Sequence, residues 1–387
     1  MKYYIIAGEA SGDLHGSNLM KGIYAEDPNA EIRFWGGDLM SEVAGGKGLA
    51  RHYKEGAVMG FVEVLAKARK LLGNVSFCKK DILQWNPDVV ILIDYPGFNF
   101  KIAEFAHKAG YKVFYYIAPK VWASREGRIK KLKAYVDKLF IVFPFEKPYF
   151  DSKGISYIYK GNPLIDAVDN SKAMHQSKDE FFAETGISKG PFIAMLAGSR
   201  KGEISTMMPV LTEFASKMHQ LPEYSDYKFI IAGAPARSMQ DYEPWLTEDN
   251  RKYIKVLFGQ TQSIIRHADA AVVNSGTASL ETALFNTPQV VGYITNPVTY
   301  WIAKKIVKIR YISLGNLIVN RLAFKEFIQD DCNSDALVAE IRELIENQQR
   351  KTKMLSDYRD IRNALGGTGA SSAVAKAMIE ELKADRK

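Results

Sequence analysis

Cysteine and histidine are scarce in this chain of 387 residues, and their placement does not suggest a disulfide framework or a metal site. The two cysteines, Cys78 and Cys332, lie far apart and have no partner at a metal-binding spacing. The six histidines are scattered without an i,i+4 pair, and no Asp-x-Asp motif occurs. We therefore expect neither disulfides nor a bound metal, and no motif indicates another cofactor.

Long apolar runs are also missing from the sequence. No stretch of about 18 apolar residues occurs, so a membrane-spanning helix is not expected. Residues 1–6 lead straight into a strand-like run, without a signal-peptide core or a cleavage site. We expect no secretory signal, and any membrane contact would be peripheral.

A basic excess is present: 52 Lys and Arg residues against 44 Asp and Glu residues give a formal net charge of +8. This balance favours anionic partners such as a nucleotide, a nucleic acid or an anionic membrane, although a solvated basic surface would also explain it. The lysines are scattered and no aromatic–basic platform is visible. A nucleic-acid partner is therefore not expected.

Short apolar runs alternate with helical patterns twice along the chain. The predicted strands are 2–7, 31–35, 89–95, 112–117, 138–143 and 156–159, followed by 192–196, 229–232, 254–257, 270–273 and 289–293. Buried strands that alternate with helices predict parallel sheets with helices on both faces. We predict an α/β fold of two doubly wound, Rossmann-like domains that face a ligand cleft.

A polar stretch and a helical C-terminus set the predicted domain boundaries. Residues 166–190 are rich in Lys, Asp, Ser and Glu, which indicates a linker with a short helix. Residues 334–383 are helical by period, with a glycine-rich break before a final Ala-rich helix. The predicted domains are 1–165 together with 360–387, and 190–355.

Acidic residues follow two predicted strands of the first half. Glu9 and Ser11 lie in the motif GEASGD, in which Ser11 or Asp13 could cap the next helix and Glu9 would face the ligand edge. Asp94 ends a very apolar strand, where burial can raise the pKa of a carboxyl enough for a general base. Plain helix capping, with Asn99 beside Asp94, is the alternative for these motifs.

Small and basic residues follow a strand of the second half in the motif GSRKGEI. Backbone N–H groups before a helix, reinforced by Arg200 next to Ser199, would form an anion cradle. The Walker A spacing is absent, so a P-loop is not expected. An ordinary basic turn is the alternative.

A second helix start in the same half carries the motif NSGTASLE. Its Ser275, Gly276 and Thr277 would present N–H groups to a diphosphate, and Glu281 could accept from ribose hydroxyls one turn later. A surface or capping role for Glu281 is equally compatible with the spacing. The second domain is thus predicted to hold a nucleotide and the first to hold the acceptor.

Two segments mix apolar and basic residues at helical spacing. The segment 58–72 supplies Phe61, Val64, Leu65, Leu71 and Leu72, and the segment 300–312 supplies Trp301. Such segments fit interfacial contact with anionic lipid. An amphipathic helix packed on the core gives the same pattern, and the period alone favours that alternative.

Ten blocks in one order make the sequence resemble the lipid-A-disaccharide synthase family. They are AGEASGD (7–13), VMGFVEVL (58–65), DYPGFN (94–99), PKVWA (119–123), FPFEK (143–147), GNP (161–163), GSR (198–200), SGTASLE (275–281), VGY (291–293) and SLGNL (313–317). Together they span most of the chain. The last ~70 residues match mainly by pattern.

The resemblance implies the glycosyltransferase B fold, with the last helix crossing back to the first domain. It implies transfer of 2,3-diacylglucosamine from UDP-2,3-diacylglucosamine to the 6-hydroxyl of 2,3-diacylglucosamine 1-phosphate (lipid X), which yields a β-1,6-linked disaccharide 1-phosphate and UDP in lipid A biosynthesis. An α-linked donor and a β product imply one inverting displacement, with one general base and no covalent enzyme intermediate. No metal would be involved.

On the acceptor side, the resemblance matches Glu9, Ser11 and Asp94 to family residues important for activity, and Asp94 is preferred over Glu9 as the base. The stretch after residue 58 matches an exposed hydrophobic patch used for docking on a membrane. The resemblance thus implies a peripheral location on the cytoplasmic side of the inner membrane, against anionic phospholipid. The oligomeric state stays open, a homodimer included.

On the nucleotide side, Arg200 matches a contact to the UDP diphosphate, Asn316 matches a residue near the nucleotide, and Glu281 lies where related transferases hold the ribose. Two departures concern this chain. Glu203 follows Arg200 after Lys201 and Gly202, a pair of residues that varies within the family. A second Trp that some members of the family have near Trp122 is missing.

Three other functions share parts of this pattern. A UDP-N-acetylglucosamine 2-epimerase or a peptidoglycan-type transferase would have the same fold, since fold alone does not fix function. The blocks at 7–13 and 58–65 argue against both. A nucleotide-binding sensor at the membrane would need no base at Asp94.

Overall fold

The computed structural model of the protein describes residues 1–56, 64–123, 126–296, 300–301 and 310–384, with the backbone alone described at 56 and 64–70. The chain divides into two compact units. Unit 1 comprises Met1–Ala167 and Leu365–Lys387, and unit 2 comprises Val168–Ala364.

Thirteen strands form the sheets of the described chain. They are β1 Lys2–Ala7, β2 Glu31–Gly36, β3 Leu49–His52, β4 Val89–Ile93, β5 Lys112–Tyr116, β6 Lys138–Ile141, β7 Ile158–Tyr159, β8 Phe192–Leu196, β9 Lys228–Gly233, β10 Ile254–Phe258, β11 Ala270–Asn274, β12 Gln289–Tyr293 and β13 Glu326–Ile328.

The α-helices of the described chain alternate with these strands. They are α1 Ala10–Glu26, α2 Asp38–Val43, α3 Tyr53–Gly56, α4 Val64–Trp85, α5 Pro96–Lys108, α6 Ile129–Tyr135, α7 Glu146–Ser152, α8 Pro163–Asp169, α9 Lys172–His175, α10 Lys178–Thr185, α11 Lys201–His219, α12 Thr261–His267, α13 Thr277–Leu284, α14 Leu314–Val319, α15 Ser334–Glu346, α16 Gln348–Leu365 and α17 Ala370–Ala384.

Each unit contains one parallel sheet. The order in unit 1 is β3-β2-β1-β4-β5-β6-β7, and the order in unit 2 is β10-β9-β8-β11-β12-β13. The strand pairs run parallel throughout both sheets. The strand order reverses between β1 and β4, and again between β8 and β11, so each sheet has one topological switch point.

The central strands are apolar because helices cover both faces of each sheet. Every residue of β4 is fully buried, and β8 and β11 are buried along their whole length. Strands covered on both faces have near-continuous hydrophobic runs rather than alternating ones. The predicted doubly wound α/β fold is confirmed.

The final helix returns to unit 1, as predicted. Helix α17 packs on α1 at Gly22, where an added Cβ would lie 2.8 Å from the Ala375 Cβ. Asp166 holds the start of α17, because its carboxylate accepts from the backbone N–H groups of Gly369 at 2.5 Å and Ser371 at 2.9 Å.

The structure adds two strands that the sequence pattern did not predict and shortens four that it did, of which the one predicted at 156–159 begins only at Ile158. Strands β3 and β13 lie at sheet edges and are only partly buried, so they lack a diagnostic apolar run. The predicted strands ending at 95, 117 and 143 stop two, one and two residues earlier. Positive φ angles at Asp94, Tyr95 and Ile117 turn the chain out of the sheet at two of these ends.

Among the described residues, no helix combines the length and the apolar character needed to cross a bilayer.

Candidate functional site

The motifs singled out in the sequence lie at the two switch points. Ala7 of β1 pairs with Ile93 of β4, so the segments starting at Gly8 and Asp94 leave the sheet of unit 1 side by side. Val273 of β11 pairs with Leu196 of β8, which places the motifs that start at 198 and 274 side by side in unit 2. Open parallel sheets bind ligands at such edges.

Asp94 adopts a backbone conformation that is uncommon for residues other than glycine. Its φ is +42° and that of Tyr95 is +44°. The carbonyl oxygen of Asp94 accepts from the Tyr115 hydroxyl at 2.6 Å and the Asn99 side-chain amide at 2.7 Å. Strained residues persist when their surroundings over-determine them, and they concentrate at functional sites. Asn99 does not cap the helix start, because its side-chain amide donates to the backbone carbonyls of Ile93 and Asp94.

Tyr95 connects Asp94 to the neighbouring strand end. Its ring lies against Gly8 so closely that an added Cβ there would come within 2.2 Å, which explains the need for glycine. Burial, together with the nearby negative charge of Glu9, raises the pKa of Tyr95. Glu9 itself is exposed and Asp94 is half-buried. The structure thus brings both candidate bases to one switch point.

The predicted capping role of Asp13 for its own helix is wrong. Helix α1 begins at Ala10 without a side-chain cap. The buried Asp13 carboxylate instead accepts from the backbone N–H groups of Gly37, Leu39 and Met40, at 2.7, 3.1 and 3.1 Å. It therefore caps α2, across the sheet edge. Ser11 is exposed in the first turn of α1.

In unit 2, Glu203 occupies part of the predicted anion cradle. Its carboxylate accepts from the backbone N–H groups of Ser199 at 2.9 Å and Arg200 at 3.2 Å, and from the Arg200 guanidinium at 3.1 Å. Gly198 has a φ of +105°, and an added Cβ would lie 2.7 Å from both Glu203 and Asn274. An anion at these amides would have to displace Glu203, whereas the Arg200 side chain is 70% exposed.

Arg237 is a basic residue at this edge that the sequence analysis missed. It lies after the end of β9, the strand that neighbours β8 in the sheet. Its Nε donates to the backbone carbonyl of Ser199 at 3.1 Å. Two guanidinium groups therefore flank the same loop. Because Arg237 lies in an unremarkable turn, only the strand order reveals its proximity to Arg200.

The second motif of unit 2 opens α13. Ser275 and Gly276 are half-buried and Thr277 is exposed at the helix start. Glu281 accepts from the Gln262 side-chain amide at 2.7 Å, and burial raises the pKa of Glu281. The 5%-exposed Asn274 ends β11, and its Oδ1 has no hydrogen-bond partner within the described part of the chain.

Asn316 is fully buried and its amide is saturated by protein groups. Its Nδ2 donates to the Phe324 carbonyl and to Glu326, at 2.9 and 2.8 Å, and its Oδ1 accepts from the N–H groups of Ala323 and Phe324. Glu326 in turn accepts from the N–H groups of Ile312 and Ser313. The Ile312 carbonyl accepts from the Ser275 hydroxyl at 3.4 Å, so Asn316 reaches the motif through this chain of contacts.

The predicted membrane residues are described only in part. Phe61 and the side chains of Val64 and Leu65 lie outside the described residues. On α4, Leu71 is half-buried against the core of unit 1, and Leu72 is 59% exposed. Trp301 is equally exposed.

Across the described ranges, His, Cys, Asp and Glu side chains do not gather in groups of three that could hold a metal ion.

Solved structures show which class of fold this is. The S. aureus MnaA–UDP co-structure superposes with a TM-score of 0.69 at 15% identity, over 99% of this chain and 97% of that chain. UDP-GlcNAc 2-epimerase from Neisseria meningitidis, bound to UDP-GlcNAc, gives a TM-score of 0.69 at 14% identity, over 98% and 100% of the two chains. The two parallel-sheet units thus define a fold of the glycosyltransferase B class.

Sequence comparison then identifies the family. The model of the lipid-A-disaccharide synthetase family matches residues 3–379, and the chain belongs to that family. Lipid-A-disaccharide synthase of Trichlorobacter lovleyi is 36% identical, over 98% of this chain and 97% of the relative. The enzyme of Geobacter metallireducens with the same name is 35% identical, over 98% and 96%.

Proposed function

We propose that this protein transfers 2,3-diacylglucosamine from UDP-2,3-diacylglucosamine to the 6-hydroxyl of lipid X, releasing UDP, in lipid A biosynthesis. The family match over residues 3–379 carries this proposal. The polar residues at both switch points support it, because a transferase needs a base for the acceptor and cations for the leaving diphosphate.

The reaction is a single displacement with inversion. The acceptor oxygen attacks the anomeric carbon of the donor, the bond from that carbon to the diphosphate oxygen breaks, and UDP leaves with the electron pair. The Asp94 carboxylate takes the proton of the hydroxyl, with Glu9 as the alternative base. The clamped backbone of Asp94 supports this role, because a base must be held within hydrogen-bond reach of its proton.

The leaving diphosphate is stabilised by cationic side chains and helix N–H groups, without a metal. Arg200 and Arg237 flank Ser199, and the start of α13 with Ser275, Gly276 and Thr277 lies at the neighbouring strand end. Guanidinium groups bind phosphate oxygens in bidentate geometry, and helix N-termini favour anions. Glu281 accepts from the ribose hydroxyls, and Asn316 acts through Glu326 on the segment that holds Ser275.

The protein works on the cytoplasmic face of the inner membrane as a peripheral protein. Both substrates carry acyl chains, and a net charge of +8 favours an anionic phospholipid surface. The exposed Leu72 on α4, next to the segment with Phe61, Val64 and Leu65, supports a docking surface in unit 1.

An assay with purified protein, UDP-2,3-diacylglucosamine and lipid X tests the reaction. Products are followed by mass, first in metal-free buffer and then with EDTA, and the anomeric configuration is read by NMR. We expect a β-linked disaccharide 1-phosphate and one UDP per turnover, unchanged by EDTA.

Each part of the proposal has its own contrary outcome. No disaccharide from folded protein in detergent would contradict the transfer and make epimerisation of UDP-N-acetylglucosamine the next assay. An α-linked product would contradict inversion, and loss of turnover in EDTA that Mg²⁺ restores would contradict metal independence.

A further inference from the structure

The strand next to β4 also ends in a strained backbone. Ile117 follows β5 with a φ of +61°, which is an outlier for a β-branched residue. Its N–H donates to the Phe140 carbonyl at 3.1 Å, which ties the end of β5 to β6. Unusual backbone thus continues from Asp94 to the next strand end along the same edge of unit 1. The segment after Ile117 leads to Trp122.

A buried carboxylate holds Trp122 in place. Glu146 is 1% exposed, and its Oε2 accepts from the backbone N–H groups of Val142 at 3.1 Å and Phe143 at 3.0 Å. Its Oε1 accepts from the indole N–H of Trp122 at 3.1 Å. One side chain therefore joins the segment after β5 to the segment after β6. A buried carboxylate is costly unless such bonds compensate for lost hydration.

The Glu146 hydrogen bonds orient an aromatic pair. The rings of Trp122 and Phe145 pack edge to face, with centroids 4.8 Å apart and an interplanar angle of 82°. Phe143 is buried and its ring lies parallel to that of Phe145, with the centroids 5.3 Å apart, so it packs against the Phe145 side of the pair. Trp122 and Phe145 are half-buried, so part of each ring is accessible.

We propose that Glu146 is a positioning residue, which orients Trp122 so that the Trp122–Phe145 pair packs against the glucosamine ring of the acceptor. This inference rests on the proposed function. It identifies a surface for the acceptor sugar in unit 1, on the strand ends next to the one that carries Asp94.

The chemistry favours a sugar ring over an acyl chain. The C–H faces of a pyranose pack on aromatic rings, and such contacts depend on how the rings are angled. An acyl chain packs on any apolar surface and does not require a buried carboxylate to fix an indole. The transfer also requires one hydroxyl of the acceptor to reach the base in a defined orientation, which a rigid ring contact provides.

The test compares three variants with the wild type: Trp122→Phe, Glu146→Gln and the double variant. In Glu146→Gln, the amide can still accept from the backbone N–H groups, but its NH₂ group then faces the indole N–H and the Trp122 hydrogen bond is lost. Trp85→Phe is the matched control, because Trp85 is a half-buried indole of the same unit. It lies beside Lys2, where β1 begins, and therefore away from the carboxyl ends of the strands.

We expect both single variants to raise the acceptor KM by about three- to tenfold, the range of a lost aromatic contact. The donor KM should change less than about twofold, as both KM values should for Trp85→Phe. Because Glu146 acts through Trp122, the double variant should be no worse than Trp122→Phe. Acceptors with shorter acyl chains should show the same fold-change.

Several results would overturn the inference. They are an unchanged acceptor KM in Trp122→Phe, fully additive effects in the double variant, or a fold-change that grows with acyl-chain length, which would assign the pair to the acyl chains. If Glu146→Gln fails to fold, Trp122→Phe decides alone, because it leaves the backbone bonds of Glu146 intact. A wild type that forms no disaccharide contradicts the proposed function itself, whereas an active wild type with unaffected variants contradicts this inference only.

Discussion

Asp94 combines a carboxylate at a switch point with a left-handed backbone that two side chains clamp. Asp94→Asn keeps the size and removes the charge, so we expect kcat to fall by about 10²- to 10⁴-fold with a small effect on either KM. Glu9→Gln should reduce kcat less. Kinetics with both substrates varied, together with melting temperatures to verify folding, check this. Full turnover in Asp94→Asn would transfer the role of base to Glu9.

Arg237 lies beside Arg200, because its side chain donates to the Ser199 carbonyl. We expect Arg200→Ala and Arg237→Ala each to lower kcat/KM for the donor by about 10- to 100-fold, since each removes a charge-assisted contact to the diphosphate. Arg251→Ala is the control, because Arg251 pairs with Glu243 away from the loop. Unchanged donor kinetics in Arg237→Ala would assign that residue to loop structure alone.

Glu146 makes folding stability depend on pH. Burial raises the pKa of its carboxyl from 4.5 to about 7, although the backbone N–H groups of Phe143 and Val142 oppose this shift. Between these values the folded protein binds the proton and the unfolded chain releases it. The contribution of Glu146 to the free energy of unfolding should therefore fall by about 3 kcal/mol as the pH rises through this window, and that contribution should stay level on either side.

The Glu146→Gln variant isolates this contribution. The difference in unfolding free energy between Glu146→Gln and the wild type, measured in urea, should shift by the same amount between pH 4.5 and pH 7.5. Glu42→Gln is the control, because Glu42 is exposed on α2 of the same unit, and this variant should keep the wild-type profile. If the difference in unfolding free energy between Glu146→Gln and the wild type does not vary with pH, the raised pKa of Glu146 is contradicted.

At the scale of elements, the close approach of α17 to α1 depends on Gly22. An added Cβ would lie 2.8 Å from the Ala375 Cβ and 3.1 Å from the Ser372 Cα, which is backbone and cannot rotate away. We expect Gly22→Val to destabilise unit 1 by about 1–3 kcal/mol through overpacking. Gly73→Val on α4 is the control, since nothing lies within 4 Å of its added Cβ. Equal unfolding free energies for the two variants would contradict this account of the packing.

Strand positions were predictable from sequence where burial is complete. Strands β1, β8 and β12 begin and end at the predicted residues, because two-sided burial demands continuous apolar runs. Edge strands β3 and β13 carry no such signal. The predicted strands also continued past Ile93 and Tyr116, because left-handed turns there depend on tertiary clamps such as the Tyr115 hydroxyl.

The sequence predicted the motifs of the site but not the hydrogen-bond partners of their side chains. The motifs predicted which loops would lie at strand ends, since turn residues and small residues are local signals. The sequence did not indicate that Asp13 caps α2, that Glu203 occupies the amides beside Arg200, or that Asn316 is saturated by its own turn. Each of these contacts depends on which segments the sheet order brings together.

At the scale of the whole molecule, the two units carry side chains of opposite charge at their switch points. The switch point of unit 1 carries the carboxylates Glu9 and Asp94, while that of unit 2 carries Arg200, Arg237 and the start of α13. A diphosphate is repelled by the first set and attracted by the second. We therefore expect UDP alone to bind unit 2, whichever residue is the base.

Hydrogen exchange read by mass spectrometry tests this division. At a UDP concentration about a hundredfold above Kd, binding stabilises the liganded unit by about 2.7 kcal/mol, so its amides should exchange more slowly. Protection should concentrate in residues 198–203 and 274–281, while 8–13 and 94–99 exchange as in the free protein. At the same UDP concentration, Arg200→Ala should reduce the stabilisation to about 0.4–1.4 kcal/mol, because a 10- to 100-fold weaker site is only partly saturated. Protection of 8–13 or 94–99 by UDP alone would mean that the carboxylates serve the donor, and Asp94 would then need another explanation than the base for the acceptor.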